Sequence, residues 1–194
     1  DGGKNWKAMK ETGLPGGASN PVGKTGVAIS PSDPDTVYAL FEIESPALYR
    51  SDDFGDSWTL VTRNHDINER APYYTRMAVS SDNSEELYFA NVKFIVSKDG
   101  GKTLEGGYRA GGDNHDVWVD PLNADRILVA HDGCASMSLN RGKTYQRVVL
   151  PIAQMYHVAL DDQIHVLIAP VEQQVTHHAA DQIDRNPHPG RHVA

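Results

Sequence analysis

Residues 97–103 read Ser97-Lys98-Asp99-Gly100-Gly101-Lys102-Thr103, and imperfect copies of this segment recur along the chain. The copies are Ser-Asp-Asp-Phe-Gly-Asp-Ser-Trp at 51–58, Ser-Leu-Asn-Arg-Gly-Lys-Thr-Tyr at 138–145 and Asp-Gly-Gly-Lys-Asn-Trp at 1–6. We call each copy a box. Self-similarity at a spacing of about 40 to 50 residues is the signature of a repeat architecture. The chain is therefore predicted to be a repeat protein.

The pattern of the boxes, Ser-x-Asp/Asn-x-Gly-x-Thr/Ser followed by a large side chain, predicts a tight hairpin turn. The carboxylate or amide accepts hydrogen bonds from backbone N–H groups of its own turn. The glycine adopts positive φ, and the Ser or Thr hydroxyls bond to the returning strand. Large side chains are expected to pack beneath the turns, namely Trp6, Trp58, Tyr145 and the smaller Leu104.

Short apolar segments accompany the boxes at 27–31, 77–81, 117–121 and 158–162. The first three are each followed by a second apolar run, at 37–39, 87–89 and 127–129. Runs rich in β-branched and aromatic residues between Ser, Asp, Asn and Pro turns predict strands. A strand, a turn, a strand and a box-closed hairpin have the size of one four-stranded propeller blade. The predicted fold is all-β, a β-propeller of about four blades, with no helical period before the tail.

The ends of the chain bear on how the blades close. The sequence begins inside a box, whereas 158–160 and 165–169 resemble the inner strands of a blade without a box. Pairing of the N-terminal hairpin with these strands would close a four-bladed ring and cover its edges. The alternatives are a piece of a larger propeller and a ring completed by a second chain in a homo-oligomer. Residues 1–169 are assigned to the propeller. Residues 170–194 are assigned to a His-rich tail, which is expected to form a short helix or to be disordered.

The composition excludes several classes of function. The chain has 194 residues, a formal net charge of −8 and a mean hydropathy of −0.49. A nucleic-acid partner would need a cationic face, and without a long apolar run no membrane span is expected. The single Cys134 cannot form an internal disulfide. Histidines recur without His-x-His or His-Glu-x-x-His spacing, so no metal or other cofactor is expected.

The box pattern resembles the Asp-box, or BNR repeat, of sialidases, xyloglucan-cleaving β-propellers and sortilin (Vps10)-like propellers. The run 113–133 and the box after it are similar to bacterial BNR propellers described as glycosyl hydrolases or as sortilin-like. The resemblance covers roughly residues 1–164. It implies that the boxes are structural elements of the outer rim and that the protein is secreted or periplasmic. The Arg-Ile-Pro signature that accompanies sialidase Asp-boxes is missing, so sialidase activity is not expected.

Three loops that lead into inner strands, 64–76, 108–116 and 154–157, are rich in His, Asp, Arg and Tyr. Propellers place ligands where such loops converge at the central channel. The predicted ligand-binding residues in these loops are His65, Arg70, Arg76, Tyr108, Arg109, Tyr156 and His157.

The candidate catalytic residues are Asp113, His115, Asp116 and Glu69, with Asp66 as an alternative to Glu69. Two of their carboxylates would act as general acid and as base or nucleophile in glycoside hydrolysis. In the alternative, His115 and Asp116 cap turns and bond to neighbouring blades.

Three interpretations stay open at this point, the last of which is a remnant that serves only as a structural scaffold. The first is a carbohydrate-active, hydrolase-like propeller that cleaves or binds glycans. The second is a non-catalytic, sortilin-like propeller that binds a peptide or protein. Aromatic side chains that stack on sugars favour carbohydrate, although they suit a peptide equally; they are Tyr73, Tyr74, Tyr108 and Tyr156.

Overall fold

The computed structural model describes residues 1–6, 8, 13–16, 20–151, 154–160 and 166–170. In these ranges the chain is all-β, as the sequence predicted, and forms three four-stranded antiparallel sheets and one two-stranded sheet. Two short helical segments, a 3-10 helix at His65–Ile67 and α1 at Ala71–Tyr74, interrupt the first long loop. The predicted tail beyond residue 170 lies outside the described residues.

Each sheet is a meander in which strands adjacent in sequence pair with one another. Sheet 1 contains β1 (Thr25–Ile29), β2 (Val37–Phe41), β3 (Ala47–Ser51) and β4 (Thr59–Thr62). Sheet 2 contains β5 (Arg76–Val79), β6 (Leu87–Ala90), β7 (Phe94–Ser97) and β8 (Glu105–Gly107). Sheet 3 contains β9 (Asn114–Val119), β10 (Ile127–His131), β11 (Cys134–Ser138) and β12 (Gln146–Val148). Sheet 4 contains β13 (Met155–Leu160) and β14 (Val166–Pro170).

The sheets pack face to face, with their first strands β1, β5, β9 and β13 side by side. Apolar side chains of neighbouring sheets fill the space between them, and the buried cores follow this order. Tyr38 and Leu48 of sheet 1 pack with Leu87 and Phe89 of sheet 2. The next two interfaces are centred on Tyr88, Phe94, Val117 and Val129, and on Leu128, Ala135, Met155 and Val158. This arrangement is that of consecutive propeller blades.

The boxes form the turns that their sequence predicted. In the box at 97–103, the Oδ1 of Asp99 accepts a hydrogen bond from the backbone N–H of Thr103 at 2.8 Å. The Oγ of Ser97 accepts one from the backbone N–H of Gly101, also at 2.8 Å. In the first complete box, the indole N–H of Trp58 donates to the carbonyl of Gly55 at 2.9 Å. These bonds satisfy the polar groups of the turn within the turn itself.

Each complete box is also held to the first turn of its own sheet. The three equivalent backbone bonds, at 2.8 to 2.9 Å, run from Phe54 N to Asp35 O, from Gly100 N to Glu85 O and from Arg141 N to Asp125 O. The boxes therefore lie on the face where first strands end. The loops that lead into the first strands lie on the opposite face.

The N-terminal box is folded but contributes no strand to the described structure. The carboxylate of Asp1 accepts the N–H groups of Gly3 and Asn5 at 3.0 Å, yet the Trp6 side chain is 90% exposed. Leu14 packs on the outside of sheet 1, in a cluster with Trp58. Sheet 4 contains two strands in the described residues, so ring closure by the N-terminal hairpin stays a prediction.

Candidate functional site

A cleft of about 270 Å³ opens on the face where first strands begin. Three separate segments supply its walls: the loop before β5, the start of sheet 3 with its β10–β11 turn, and the loop before β13. Its lining residues are Arg70, Tyr73, Tyr74, His115, Asp132, Gln154 and Tyr156. Polar and aromatic groups from three loops thus converge at one place, as the sequence predicted for loops of this kind.

The loop before β5 is held in shape by its own short helical segments. Asn64 begins the 3-10 helix by accepting the N–H of Asp66 at 2.9 Å. Thr75 ends α1 by donating its hydroxyl to the carbonyl of Ala71 at 2.7 Å. The pattern had predicted no helix in this loop, because Asx turns and single helical turns lack an apolar period. The result is a fixed presentation of Arg70, Tyr73 and Tyr74.

The entry to β9 is anchored to sheet 2. Backbone N–H groups of Asp113 and Asn114 donate to the carbonyls of Val92 and Asn91 at 3.0 and 2.9 Å. The buried amide of Asn114 donates to the same Asn91 carbonyl at 2.9 Å. Asp113 adopts φ +54°, a region that Asn and Asp tolerate better than most residues. The loop therefore places its polar side chains at fixed positions.

His115 is buried at the centre of the cleft wall. Its Nε2 lies 2.7 Å from Oδ1 of Asp132, which accepts a hydrogen bond from the imidazole N–H. Tyr156 stacks on the imidazole with ring centroids 3.9 Å apart and planes 14° apart, and Tyr74 lies 5.2 Å away on a tilted plane. No described residue bonds to Nδ1 of His115. Three aromatic rings and one carboxylate thus form a single packed unit.

Asp113 is engaged by groups of the first loop. The Tyr74 hydroxyl donates to Oδ1 of Asp113 at 2.7 Å, and Nη1 of Arg70 lies 3.6 Å from the same oxygen. Burial and then the bond to Asp113 raise the pKa of Tyr74 above its ordinary value. The tyrosine therefore keeps its proton at neutral pH and stays a donor to the carboxylate.

Asp116 faces the other side of its strand, toward sheet 4. Its two carboxylate oxygens accept the backbone N–H groups of Val117 at 3.0 Å and Val158 at 3.3 Å. His157 Nδ1 lies 3.4 Å from the oxygen that Val158 uses. Successive residues of a strand point to opposite faces, so His115 and Asp116 are separated although they are adjacent in sequence. Asp116 links two neighbouring sheets, as the alternative interpretation expected.

The remaining predicted residues lie outside the cleft. His65 is exposed on the 3-10 helix, and Glu69 is half-buried with no bonding partner for its Oε2 among the described residues. Arg76 is exposed at the start of β5, close enough to Lys24 to lower the pKa of that amine further after burial has lowered it. Tyr108 and Arg109 line a different groove, between sheets 2 and 3. The structure therefore groups Asp113, His115, Arg70 and Tyr156.

Asp132 and Gln154 are cleft residues that the sequence interpretation did not assign to ligand binding. Among the described residues, Asp132 is not part of any group of three His, Cys, Asp or Glu side chains suited to a metal. A usable signal was present, since Asp132 follows β10 directly. In a meander, the turn after the second strand lies on the same face as the start of the first strand.

Comparison with known proteins supports the fold. No protein-family model and no curated protein matches the chain. A GH74 enzyme from Niastella koreensis superposes with a TM-score of 0.58 at 17% identity, over 75% of this chain and 25% of that one. The GH74 xyloglucanase from Xanthomonas campestris gives 0.56 at 14% identity, over 75% and 26%. YCF48 from Cyanidioschyzon merolae gives 0.50 at 15% identity, over 75% and 49%.

These similarities show a propeller-like fold and no more. The chain spans about a quarter of the length of the two GH74 enzymes and about half of YCF48. In the described part of the chain, neither short helical segment is long and apolar enough to cross a membrane.

Proposed function

We propose that the cleft between the loop before β5 and sheet 3 binds a carbohydrate, in a propeller of glycoside-hydrolase-like architecture. The observation that carries this proposal is the stack of Tyr156 on His115 at 3.9 Å, beside Tyr74. Aromatic faces offer apolar area with fixed geometry, and sugar rings stack on such faces. The fold of the GH74 enzymes supports the same class of ligand.

The polar groups at the cleft edge suit hydroxyl-rich ligands. The Asp132 side chain is 40% exposed. His115 bonds to its Oδ1, so Oδ2 is left to accept a hydrogen bond from a ligand. The Arg70 side chain is 61% exposed and Gln154 is exposed as well. Carboxylate, guanidinium and amide groups supply both acceptors and donors. Together with exposed Tyr73, they form a surface on which a saccharide both stacks and hydrogen-bonds.

The carboxylates favour recognition over bond cleavage. Glycoside hydrolysis needs one protonated carboxyl group as acid and a second one as base or nucleophile. Tyr74 and Arg70 occupy Asp113, and two backbone N–H groups occupy Asp116. Asp132 is likewise engaged, by His115, and its side chain, 40% exposed, is the most exposed of these three carboxylates.

Tyr73→Ala and Tyr108→Ala form a matched pair for testing this proposal. Both side chains are 62% exposed, and only Tyr73 lines the cleft. Calorimetric titration with xyloglucan and cello-oligosaccharides should give saturable binding that Tyr73→Ala weakens roughly tenfold, the loss expected for one aromatic contact. Tyr108→Ala should leave the affinity unchanged. Equal losses in both variants, or no saturable binding by the parent protein, would contradict carbohydrate binding in the cleft.

Hydrolysis is assayed separately. Release of reducing ends from the same oligosaccharides should be absent in the parent protein. If reducing ends appear and Asp132→Asn abolishes them while binding persists, the cleft is catalytic and Asp132 takes part in the reaction.

A peptide ligand is the second candidate, and one observation favours it. The structural neighbours include YCF48 bound to D1 peptide, with a TM-score of 0.51 at 12% identity. The cleft also exposes a cation, Arg70, and an anion, Asp132. These two side chains can pair with the anionic and cationic groups of a peptide. Saturable binding of extended peptides that Tyr73→Ala weakens and oligosaccharides do not displace would favour this function.

A further inference from the structure

A second cavity lies at the outer edge of the propeller, between the outer strands of sheet 2 and the box at 138–145. It has a volume of about 170 Å³ and shares no lining residue with the cleft. An adjoining cavity of about 240 Å³ shares Arg109, Ala110 and Tyr145 with it, so the two form one groove. We call it the inter-blade groove.

The floor of the inter-blade groove is aromatic. Phe94 is buried and stacks on Tyr88 with ring centroids 6.1 Å apart. Tyr145 meets Phe94 edge to face at 6.0 Å and an interplanar angle of 78°. Apolar cavities of about 150 Å³ accept a single benzene ring. The groove therefore has room for one ring against an apolar floor.

Tyr145 departs from the chemistry of the other boxes. In those with tryptophan at this position, the indole N–H donates to the box glycine, at 2.9 Å for Trp58 and 2.8 Å for Trp6. The hydroxyl of Tyr145 is buried and has no bonding partner among the described residues. Burial raises the pKa of this phenol, so it keeps its proton. An unmade bond of a buried donor costs free energy, so this turn is less self-contained than the turns that carry tryptophan.

The rim of the groove is cationic although the whole chain carries a net charge of −8. Lys98, Arg109 and Lys143 are exposed around the groove, and no described carboxylate forms an ion pair with them. Arg141, which also lines it, is different, since its charge is offset by Asp82, Glu86 and Asp125. Glu105 is the acidic side chain of the lining. Three cations against one anion make the groove complementary to a negative ligand.

We propose that the inter-blade groove binds a small organic carboxylate with an aromatic or compact apolar body. The apolar body lies on Phe94 and Tyr145. The carboxylate pairs with Lys143 and Arg109 at the rim. This site is independent of the carbohydrate proposed for the cleft, and either one stands if the other fails.

The test compares 4-methylbenzoate with its neutral isostere 4-methylbenzamide on the full chain. In amide NMR titrations, 4-methylbenzoate should shift the resonances of 105–110 and 141–145 and approach saturation at millimolar concentration. The amide should bind roughly tenfold more weakly, because it forms no charge-assisted hydrogen bonds. Binding of both compounds with equal affinity, or non-saturating shifts spread over the surface, would overturn the proposal.

Two variants separate the groove from general electrostatics. Lys143→Gln should weaken binding of 4-methylbenzoate several-fold. Lys102→Gln removes the equivalent exposed lysine of the box at 97–103. Lys102 does not line the groove, so this variant should leave the affinity for 4-methylbenzoate unchanged. If both lysine variants weaken binding of 4-methylbenzoate equally, the binding depends on net charge alone and the proposed site is wrong.

Discussion

Gly101→Ala is the change that most directly tests how the boxes join neighbouring blades. Gly101 has φ +96°, and a Cβ at this position would lie 2.4 Å from Cδ2 of Leu48 in sheet 1. Val61 and Leu87 follow at 3.3 and 3.6 Å. Leu48 is fully buried, so it has no space into which to withdraw. The box glycine of sheet 2 therefore contacts the core of sheet 1 closely.

Two costs add for this variant. A left-handed conformation costs an L-residue about 1–2 kcal/mol, and an extra methyl group in a packed core costs about 1–3 kcal/mol. We expect the free energy of unfolding to fall by about 2–5 kcal/mol. Domains are stable by about 5–15 kcal/mol, so the loss is a large part of the total. It would be measured by urea unfolding followed by tryptophan fluorescence, at an unchanged m value.

Gly107→Ala is the control. Gly107 lies in β8, has no positive φ, and has no atom within 4 Å of its added Cβ. Its substitution should change the free energy of unfolding by about 0.5 kcal/mol or less. If Gly101→Ala loses less than about 1 kcal/mol, or no more than Gly107→Ala, the close packing of box against neighbouring sheet is refuted.

Two pH predictions follow from hydrogen bonds of single side chains. Bonds from Ser57 to Asp53 and from Thr103 to Asp99 hold the pKa of both carboxyls at about 2, below 3.8. Their contribution to stability is present above pH 3.8 and is lost as the pH falls toward 2, so Asp53→Asn with Asp99→Asn should flatten the acid unfolding curve in that window. Burial raises the pKa of Tyr38 from 10.0 to about 12. Its contribution is present below pH 10 and is lost as the pH rises to 12, so Tyr38→Phe should flatten the alkaline curve; unaltered slopes would contradict either expectation.

The box turns were predictable because their bonds are local. In the first two complete boxes the acceptor and donor are four residues apart, as from Thr103 N to Asp99. The third box uses Asn140 in the same way, accepting the N–H of Thr144 at 2.9 Å. Since an amide serves as well as a carboxylate, the pattern Asp/Asn at this position is enough to predict the turn. The strands next to the boxes were predictable from short apolar runs rich in β-branched and aromatic residues.

The cleft was predictable only in part, because loops that enter first strands cross the full width of a blade. Residues at the start of such a loop leave an outer strand, and residues near its end approach the first strand of the next sheet. Tyr108 and Arg109 directly follow β8 and line the outer groove. His115 comes later and lines the cleft, and Asp113 contacts the cleft residues Tyr74 and Arg70. Whether a residue belongs to such a loop therefore does not predict whether it lines the cleft. Its position along the loop does.

The partners of His115 could not be read from the sequence at all. Asp132 is 17 residues away along the chain and Tyr156 is in the next sheet. These contacts depend on the register of β9 against β10, which shifts at a bulge between Ala130 and His131. A shift of one residue exchanges the faces of a strand, so the pattern alone does not say whether His115 or Asp116 enters the cleft.

The inter-blade groove shows how a repeat built for structure gains room for chemistry at one copy. Trp58 closes its turn by bonding to the box itself, and Leu104 packs into the first core without any polar atom. Tyr145 does neither, because its hydroxyl extends past the ring and ends without a described partner. Tyr145→Trp should restore the bond to the box glycine, so the free energy of unfolding in urea should be kept or raised. A fall of more than about 1 kcal/mol would show that the unmade bond of Tyr145 is not a cost to this turn.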